Sequence, residues 1–483
     1  MSAAVLRNLV GGAFVDAREG GLIDVVDPST EGALVGRVPA MTADDLPAVF
    51  EAARAGARTW KAVDPLARGR VLLDAAALIR RDAGELVDTI VREMGKTRAE
   101  ATGEVGKAAE FFEYYGGLAR GPVGSLVPDA RTGTFAAVLH EPVGVVVLIT
   151  PWNDPLLTPA RKLAPALLSG NAVVLKPATE TPLIALRLAA LLHEAGLPAG
   201  VLGTVTGRGA DIGDALATDA AIAAISFTGS TEVGRRLQRT VAGSGVRLQT
   251  EMGGKNAAVV LDDADLDIAV AAIGAGAFAQ AGQRCTATSR LIVQRGVADE
   301  LRSRLAAAVD AIAVGPGADD ATTMGPVVSH RARDEIRSAV ERALEEGADV
   351  VARGSIAAVE SSGGAYVAPA LLQVAPDSSI WRDEVFGPVL AMLVVDTVEE
   401  AIDAVNASAY GLSSAVFTRD LGNAFAFVHG VDTGQVSVNQ PTSGWDVHHP
   451  FGGFKDSGSP FKEQGTEALA FYSRVKTAAI RTS

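Results

Sequence analysis

The sequence predicts an α/β fold built on parallel sheets with helices on both faces. From residue 143 to residue 240, strand-like stretches such as VGVVVLIT alternate with helical patterns, and a second series of this kind runs from about 252 to 440. The chain has 483 residues, which is long for one hydrophobic core. Its 52 glycines and 22 prolines fit the many tight turns of a large α/β protein. Sheets of this type bind ligands at the carboxyl ends of their strands.

The composition excludes several classes of partner. A net charge of −14 argues against nucleic acid and anionic membrane surfaces. Cys285 is the only cysteine, so an intramolecular disulfide is impossible, and six scattered histidines argue against a metal site. The first residues lack a basic segment followed by an apolar one, and the apolar run 143–149 is too short to span a bilayer. We expect a cytoplasmic protein without a metal.

Helices are the first regular elements that the patterns predict. Thr42 and Asp45 resemble a capping box that opens a helix over 42–60. Its predicted buried face consists of Leu46, Val49, Phe50, Ala53, Ala57 and Trp60. The other predicted helices are 67–94, 98–116, 156–168, 181–195, 209–216, 231–240, 297–313, 329–346 and 397–406. A hairpin is expected at 123–140, and the last residues, FYSRVKTAAIRTS, suggest an edge strand that pairs with it.

Cys285 lies in QAGQRCTA (280–287), among glycine, glutamine, arginine and threonine. A free cysteine is usually a small buried hydrophobe, but these polar neighbours also fit a nucleophile. A nucleophilic thiol needs a base or a positive environment. Glu251, in QTEMGGKN (249–256), is the candidate base, and its alternative interpretation is a solvated loop carboxylate.

Four further segments carry polar groups at predicted strand ends. Asn153 in PWNDP (151–155) can donate to an oxyanion, or can serve as a turn residue. Lys176 in VLKPATETP (174–182) can meet ribose hydroxyls or phosphate, or can be solvated. Gly229 and Ser230 in SFTGSTEVG (226–234) open a helix whose amides can bind phosphate. EVFGPV (384–389) places a carboxylate beside an aromatic ring.

In this order the segments resemble the aldehyde dehydrogenase superfamily, the non-phosphorylating NAD(P)-dependent enzymes, from about residue 20 to the C-terminus. The resemblance implies a dinucleotide-binding domain (1–122 and 142–251), a catalytic domain (252–440) and a bridging segment (123–141 and 455–483). In the family this segment joins subunits, so we expect a homodimer or homotetramer. The implied partner is a small-molecule aldehyde.

The resemblance also implies a role for each matched residue. Cys285 would be the nucleophile, Glu251 the general base, and Asn153 with the backbone N–H of Cys285 the oxyanion donors. The thiol adds to the aldehyde carbon, and water activated by Glu251 hydrolyses the resulting thioester to a carboxylic acid. The implied contacts to NAD or NADP are Trp152, Lys176, Thr179, Gly207, Thr228, Gly229, Ser230, Val233, Glu384 and Phe386. The alternative is a non-enzymatic relative, which would lack the nucleophile, the base or the oxyanion donor. Cys285, Glu251 and Asn153 are all present, which argues against it.

The residue three places after Lys176 bears on the choice of cofactor. NAD-preferring members commonly have a glutamate there, which accepts hydrogen bonds from the adenosine ribose. This chain has Thr179, and its Glu180 stands one place later. A carboxylate would repel a 2′-phosphate, whereas Thr179 can accommodate one, so we predict that NADP is accepted. A Glu180 side chain turned inward would restore the preference for NAD.

Arg161 is the residue that says most about the aldehyde. It matches an arginine that contacts the substrate carboxylate in succinic semialdehyde dehydrogenases, although a second arginine of that subgroup is Ala279 here. The PTxGxDxHxPFGG pattern, with EQG and FYxxVKTA, is similar to 2,5-dioxovalerate (α-ketoglutaric semialdehyde) dehydrogenases. Both resemblances predict an aldehyde that carries a carboxylate.

Three features leave alternatives open or unexplained. Trp445 and Phe451 belong to the loop expected to line the substrate entrance, and they equally suit an aromatic or medium-chain aliphatic aldehyde. Asp154 stands where the family more often has phenylalanine, and nothing in the sequence explains it. EMGKT (93–97) resembles the end of a phosphate-binding loop, but the glycine required upstream is replaced by Ile90.

Overall fold

The computed structural model describes residues 4–481, and two short antiparallel hairpins precede its first helix. Their strands are β1 (Asn8–Val10), β2 (Ala13–Val15), β3 (Leu22–Val26) and β4 (Leu34–Pro39). The expectation that helices come first is therefore wrong. Strands of three to six residues are too short to establish an alternating pattern in the sequence.

Four helices and a hairpin follow. They are α1 (Leu46–Ala62), α2 (Pro65–Arg81), α3 (Ala83–Met94), α4 (Arg98–Leu118), β5 (Gly124–Val127) and β6 (Thr134–Pro142). The carboxylate of Asp45 accepts the backbone N–H of Thr42 at 2.9 Å, as the capping pattern predicted. The predicted helix over 67–94 is two helices, because Asp82 has φ −98° and ψ 15° and interrupts the helical backbone.

The first large sheet has five parallel strands in the order β11-β10-β7-β8-β9. Its strands and helices are β7 (Val145–Ile149), α5 (Leu157–Leu168), β8 (Ala172–Lys176), α6 (Leu183–Glu194), β9 (Leu202–Thr204), α7 (Gly209–Thr218), β10 (Ile222–Thr228), α8 (Thr231–Val241) and β11 (Arg247–Glu251). Val146 and Leu148 pack into one core cluster, and Val145 and Val147 pack into another. Because both faces of β7 are covered, its sequence is continuously apolar, and the predicted parallel sheet is confirmed.

The second large sheet has the strand order β14-β15-β16-β13-β12-β18-β19, parallel except for β14. Its region contains β12 (Asn256–Val260), α9 (Leu266–Phe278), β13 (Thr288–Gln294), α10 (Ala298–Asp310), α11 (His330–Glu345), β14 (Asp349–Arg353), β15 (Ala370–Gln373), α12 (Ser379–Arg382), β16 (Val389–Val395), α13 (Val398–Asn406), β17 (Tyr410–Gly411), β18 (Ser413–Phe417), α14 (Leu421–Gly430) and β19 (Gln435–Val438). A separate core cluster surrounds this sheet.

The C-terminal elements return to the hairpin of β5 and β6. They are β20 (Phe454–Lys455), α15 (Ala468–Tyr472) and β21 (Ser473–Arg481). β21 pairs antiparallel with β6, from Ser473 opposite Pro142 to Arg481 opposite Thr134, so the predicted pairing with the hairpin is confirmed. No helix within residues 4–481 is long and apolar enough to cross a membrane.

The three larger sheets follow the predicted domains, except that the bridging sheet extends one residue past its predicted bound, to Pro142. The first occupies 145–251, the second 256–438, and the bridging sheet 124–142 with 473–481. We propose the domain boundaries on this basis. The carboxyl ends of β7, β10 and β11 face loops of the second sheet. A ligand site is expected between them, because parallel sheets bind ligands at the carboxyl ends of their strands.

Candidate active site

A cavity of about 600 Å³ lies at the carboxyl end of the first sheet. Loops that follow β7, β10 and β11 line it, together with the loop before β13, the loop before β16 and the segment 443–451. Most of the residues predicted to be functional meet there, namely Trp152, Asn153, Arg161, Thr228, Gly229, Ser230, Cys285, Glu384, Phe386, Trp445 and Phe451. A volume of this size suits an organic ligand of some length.

The loop that carries Cys285 is built from unusual backbone angles. Gln280, Ala281 and Gly282 are all left-handed, with φ of 54°, 52° and 69°. Non-glycine residues in this region cost about 1–3 kcal/mol each, so the surroundings must hold the turn. Gly282 is required because a Cβ there would collide with the carbonyl of Gly387. The turn places Cys285 at the cavity wall.

Two buried amides hold this loop in place. The side-chain amide of Asn256 donates to the carbonyls of Cys285 and Ala287 at 2.7 and 2.8 Å. The Gln283 side chain donates to the Gln280 carbonyl at 3.1 Å and accepts the N–H of Val328 at 2.9 Å. Sequence reasoning missed both residues. Their signal was a polar side chain at the start of the apolar strand NAAVV and a second glutamine in the motif around Cys285.

Asn153 is buried beside the Cys285 loop. Its Nδ2 donates to the carbonyl of Gln283 at 3.0 Å, and this contact fixes the plane of the amide. An amide nitrogen carries two hydrogens, so one N–H remains for a ligand. Since Asn153 and Cys285 line the same cavity, that N–H can stabilise an oxygen that becomes negative next to the thiol.

The Cys285 thiol is protonated at neutral pH in this arrangement. Burial raises its pKa to about 12, and the charges of Asp154 and Glu251 act in the same direction. Arg161 opposes them and lowers the pKa. The thiol therefore becomes a strong nucleophile only when bound ligands change its surroundings or a base takes its proton.

Glu251 lies behind the cavity wall and is not among the residues that line it. It is the last residue of β11, it is 1% exposed, and its Oε1 accepts a hydrogen bond from Gln249 Nε2 at 3.1 Å. Burial raises the pKa of Glu251 well above its ordinary value, and the nearby Glu463 raises it further. The neutral form of this carboxyl group is therefore favoured, and its ionised form raises the pKa of Cys285.

A buried cluster of charges lies near Glu251. The carboxylate of Glu463 binds the ammonium of Lys162, which also donates to Ser226 Oγ at 2.7 Å. The Nε atom of Arg161 lies 2.8 Å from Glu463 Oε2, and its guanidinium stacks on the Phe451 ring at 4.9 Å. Arg161 is therefore a buried, paired arginine whose side chain also faces the cavity.

The EMGKT segment positions the loop after β7, which lines the cavity, and the loop between β8 and α6, which lies beyond it. Both carboxylate oxygens of Glu93 accept backbone N–H groups at the start of α6, from Leu183 at 2.9 Å and Ile184 at 3.0 Å. The helix begins directly after the loop that carries Lys176. Glu93 thus anchors the end of that loop through the unpaired amides of the helix.

Lys96 of the same segment holds the loop after β7. Its fully buried ammonium donates to Glu104 Oε2 at 2.6 Å and to Asp154 Oδ1 at 2.7 Å. Oε1 of Glu104 accepts the N–H groups of Leu156 and Leu157 at 2.8 and 3.0 Å. The start of α5, which bears Arg161, is thereby fixed. No sequence pattern linked these residues, because the contacts join distant parts of the chain.

Two aromatic rings and an acidic group also line the cavity. The rings of Trp152 and Phe386 meet edge to face with centroids 5.3 Å apart. Glu384 accepts the N–H of Gly254 at 2.8 Å, and burial raises its pKa to about 7. Ser230 Oγ accepts the N–H of Val233 and caps α8.

The remaining predicted cofactor contacts lie beyond this cavity. Lys176 ends β8, and its Nζ donates to the carbonyl of Pro177 at 3.1 Å. The Thr179 hydroxyl donates to the Gly207 carbonyl at 3.4 Å, and Val233 is exposed on the first turn of α8. Glu180 is exposed, and its charge raises the pKa of Lys176 against the larger lowering by burial.

The fold and this cavity can be compared with known proteins. A sequence model of the aldehyde dehydrogenase family matches residues 14–478. The chain belongs to the aldehyde dehydrogenase family. The predicted family, its fold and the class of enzyme are confirmed, whereas the roles of individual residues remain predictions.

Aldehyde dehydrogenases of several specificities are similar to the chain. An α-ketoglutaric semialdehyde dehydrogenase from Bacillus subtilis is 36% identical over 98% of each chain. A 2,5-dioxopentanoate dehydrogenase from Saccharolobus solfataricus is 39% identical, covering 94% of this chain and 95% of the other. A phenylacetaldehyde dehydrogenase from Pseudomonas fluorescens is 38% identical, covering 98% and 95%. Overall identity therefore leaves the aldehyde open.

Solved aldehyde dehydrogenase structures share the whole fold. The betaine aldehyde dehydrogenase of Staphylococcus aureus in complex with NAD⁺ superimposes with a TM-score of 0.95 at 31% identity. The match covers 99% of this chain and 95% of that chain. The sheet order described above is thus the arrangement of an aldehyde dehydrogenase.

Proposed function

We propose that this aldehyde dehydrogenase uses NAD or NADP to oxidise an aldehyde bearing a carboxylate, with Cys285 as the nucleophile. The observation that carries the proposal is that Cys285, Asn153 and Arg161 line one cavity. A nucleophile, an oxyanion donor and a cation for the substrate tail are the groups that this reaction requires.

In the first step the sulfur of Cys285 bonds to the aldehyde carbon while its proton passes to a base. The carbonyl oxygen becomes an oxyanion, which receives the free N–H of Asn153 and the backbone N–H of Cys285. Removing one such donor lowers rates by about 10²–10³ in other acyl-transfer sites. The positive charge of Arg161 favours the thiolate, since it lowers the pKa of Cys285.

The residues around the cavity fit a nicotinamide dinucleotide. The rings of Trp152 and Phe386, the carboxylate of Glu384 and the amides at the start of α8 offer stacking, ribose and phosphate contacts. When bound, this cofactor supplies the two-electron oxidant that converts the hemithioacetal into a thioester. Lys176, Thr179, Gly207 and Val233 would hold its outer part, together with Thr228, Gly229 and Ser230.

Hydrolysis of the thioester then frees Cys285. We propose that the Glu251 side chain turns into the cavity and takes a proton from water. The resulting hydroxide attacks the acyl carbon. The carbon–sulfur bond breaks, and the carboxylic acid leaves. The buried cluster of Lys162 and Glu463 beside Glu251 can carry the proton away from the cavity.

Two groups in the cavity favour an anionic tail on the substrate. Arg161 is a buried cation at the wall. The indole N–H of Trp445 is buried and meets no acceptor within residues 4–481. Both groups can donate to one carboxylate, and a fork-shaped guanidinium suits this ligand. Trp445 and Phe451 also offer ring surfaces, which support an aromatic aldehyde as the second candidate.

Arg161→Leu tests the substrate class. We expect kcat/KM for succinic semialdehyde and 2,5-dioxovalerate to fall by roughly 10–100-fold, because a charged hydrogen bond is lost. Benzaldehyde and hexanal should lose much less than the acidic aldehydes, because for them only the effect of Arg161 on the pKa of Cys285 is removed. Initial rates of nicotinamide reduction measure this with NAD and with NADP.

The control for this test is Lys107→Leu, which removes a cation at the cavity mouth that Asp446 and Glu110 already neutralise. It should lower rates for acidic aldehydes far less than Arg161→Leu. A wild-type preference for benzaldehyde or hexanal, with equal losses for all aldehydes in Arg161→Leu, would favour the second candidate.

Thr179→Glu tests the choice of cofactor. Thr179 presents a hydroxyl beside the Gly207 carbonyl, and a carboxylate there would repel a 2′-phosphate. We expect the variant to lose at least about tenfold in kcat/KM for NADP, while NAD is retained or improved. The matched control is Glu180→Gln. If this control instead raises the use of NADP, Glu180 is the residue that selects NAD.

An exposed apolar face supports the proposal of a homodimer or homotetramer. Leu126 on β5, Phe135 and Leu139 on β6, and Ile480 on β21 are exposed in the single chain and share one face of the sheet. Large apolar side chains grouped on one sheet are typical of an interface. We propose that this bridging sheet contacts another copy of the chain.

A further inference from the structure

The residue that the sequence left unexplained, Asp154, lies in the wall of the cavity. Its side chain is 23% exposed, whereas those of Lys96 and Glu104, its partners in the buried cluster, are 0% and 2% exposed. The accessible part of the Asp154 side chain therefore faces the cavity rather than the protein interior.

The two oxygens of Asp154 have different surroundings. Hydrogen bonds from Lys96 Nζ at 2.7 Å and Gln280 Nε2 at 3.3 Å both end on Oδ1. Oδ2 receives no such bond within the described part of the chain. The buried ammonium of Lys96 compensates the charge, and with Arg284 and Arg161 it outweighs burial, so the pKa of Asp154 is lowered. A carboxylate held ionised accepts hydrogen bonds and donates none.

A second acceptor lies next to it. Gln280 is 8% exposed and lines the same cavity, and its Oε1 has no donor among residues 4–481. Buried acceptors are normally satisfied, so an unpaired one beside a free carboxylate oxygen indicates that a ligand supplies a donor. An aromatic side chain at position 154 would offer no such acceptor.

We infer that Asp154 determines specificity, and that the preferred aldehydes carry a hydroxyl or ammonium group on a carbon close to the aldehyde. This inference rests on the proposed function, which puts the aldehyde carbon at Cys285. Asp154 follows the oxyanion donor Asn153 directly in the chain, so its carboxylate borders the first carbons behind the aldehyde. A donor there binds Oδ2, and an ammonium can also reach Gln280 Oε1.

The inference is tested with sets of aldehydes that share a carbon skeleton and differ in one hydroxyl or amino group. Lactaldehyde is compared with propanal, and 3-hydroxybutanal with butanal. Succinic semialdehyde is compared with 2-hydroxy-4-oxobutanoate and 2-amino-4-oxobutanoate, which share its four-carbon skeleton. We expect at least one donor-bearing member to exceed its parent about 10–100-fold in kcat/KM, since its donor meets a charged acceptor. The hydroxyl and amino arms show which donor is used.

Asp154→Asn should reduce this preference to less than about threefold. Its amide oxygen can keep the hydrogen bond from Lys96, which leaves an NH₂ group toward the cavity where an acceptor stood. A second variant, Asp154→Leu, leaves the buried Lys96 paired with Glu104 and should lose the preference as well. Asp446→Asn, which neutralises an exposed carboxylate outside the cavity wall, should keep it.

Three results would overturn the inference. They are equal kcat/KM within every matched set, a preference that survives both variants of Asp154, and an equal loss for all aldehydes in Asp154→Asn. The last result would make the residue a structural partner of Lys96 only. If carboxylate-bearing aldehydes prove poor substrates, the proposed substrate class fails, but the two neutral pairs still decide the role of Asp154.

Discussion

Cys285→Ala should abolish aldehyde oxidation, with a loss of kcat on the order of 10⁴-fold or more. The chain has no second cysteine to replace the nucleophile. The thiol is small and lies in the cavity wall, so the alanine variant should fold normally and still bind the cofactor. Initial rates, circular dichroism and nicotinamide binding followed by fluorescence measure these three properties. Cys285→Ser tests whether a hydroxyl of similar size can replace the thiol.

The wild-type thiol provides the control for this result. Because burial raises its pKa to about 12, alkylation by iodoacetamide should be slow at pH 7. The rate should rise about tenfold per pH unit up to pH 9, since only the thiolate reacts and its fraction grows in that proportion. Substantial oxidation by the alanine variant would remove Cys285 from the mechanism. A labelling rate that levels off near pH 8 would show that the thiol is not held in its neutral form.

The features that sequence patterns predicted well depend on local chemistry. The strand VVVLI is buried on both faces, and its uninterrupted apolar run follows from that burial. The first helix was recognisable because the Asp45 carboxylate binds the Thr42 N–H in the turn that leads into it, and because its apolar residues recur on one face. The residues that meet in the cavity follow strand ends, and parallel strands bring such residues to one edge of the sheet.

The features that were missed depend on contacts between distant segments. Lys96 and Asp154 are 58 positions apart, and no periodic pattern links a helix end to a loop. Asn256 reaches the Cys285 loop across 29 positions. In the same way, the motif around Glu251 does not predict that its carboxyl group lies behind the cavity wall. Gln249 and the cluster around Glu463 decide where this group lies.

The position of Glu251 behind the wall leads to the second prediction. Glu251→Gln should lower steady-state oxidation by about 10²–10³-fold, because the thioester is no longer hydrolysed efficiently. Formation of the thioester does not require this carboxylate in our proposal. Mixing enzyme, cofactor and aldehyde rapidly should therefore give a burst of reduced nicotinamide of about one per active site, followed by slow turnover. Hydroxylamine attacks thioesters without a general base and should restore turnover.

The pH dependence gives the same test a second readout. Burial and Glu463 raise the pKa of Glu251, so the fraction able to act as a base increases as the pH rises above 7. The wild-type kcat should increase over this range, and Glu251→Gln should lose the increase. Glu467→Gln, a change at an exposed carboxylate four positions from Glu463, should keep both the rate and its pH dependence. Loss of the burst together with the rate would place Glu251 before the thioester, as the base for Cys285, because hydrolysis alone cannot limit a step that precedes it.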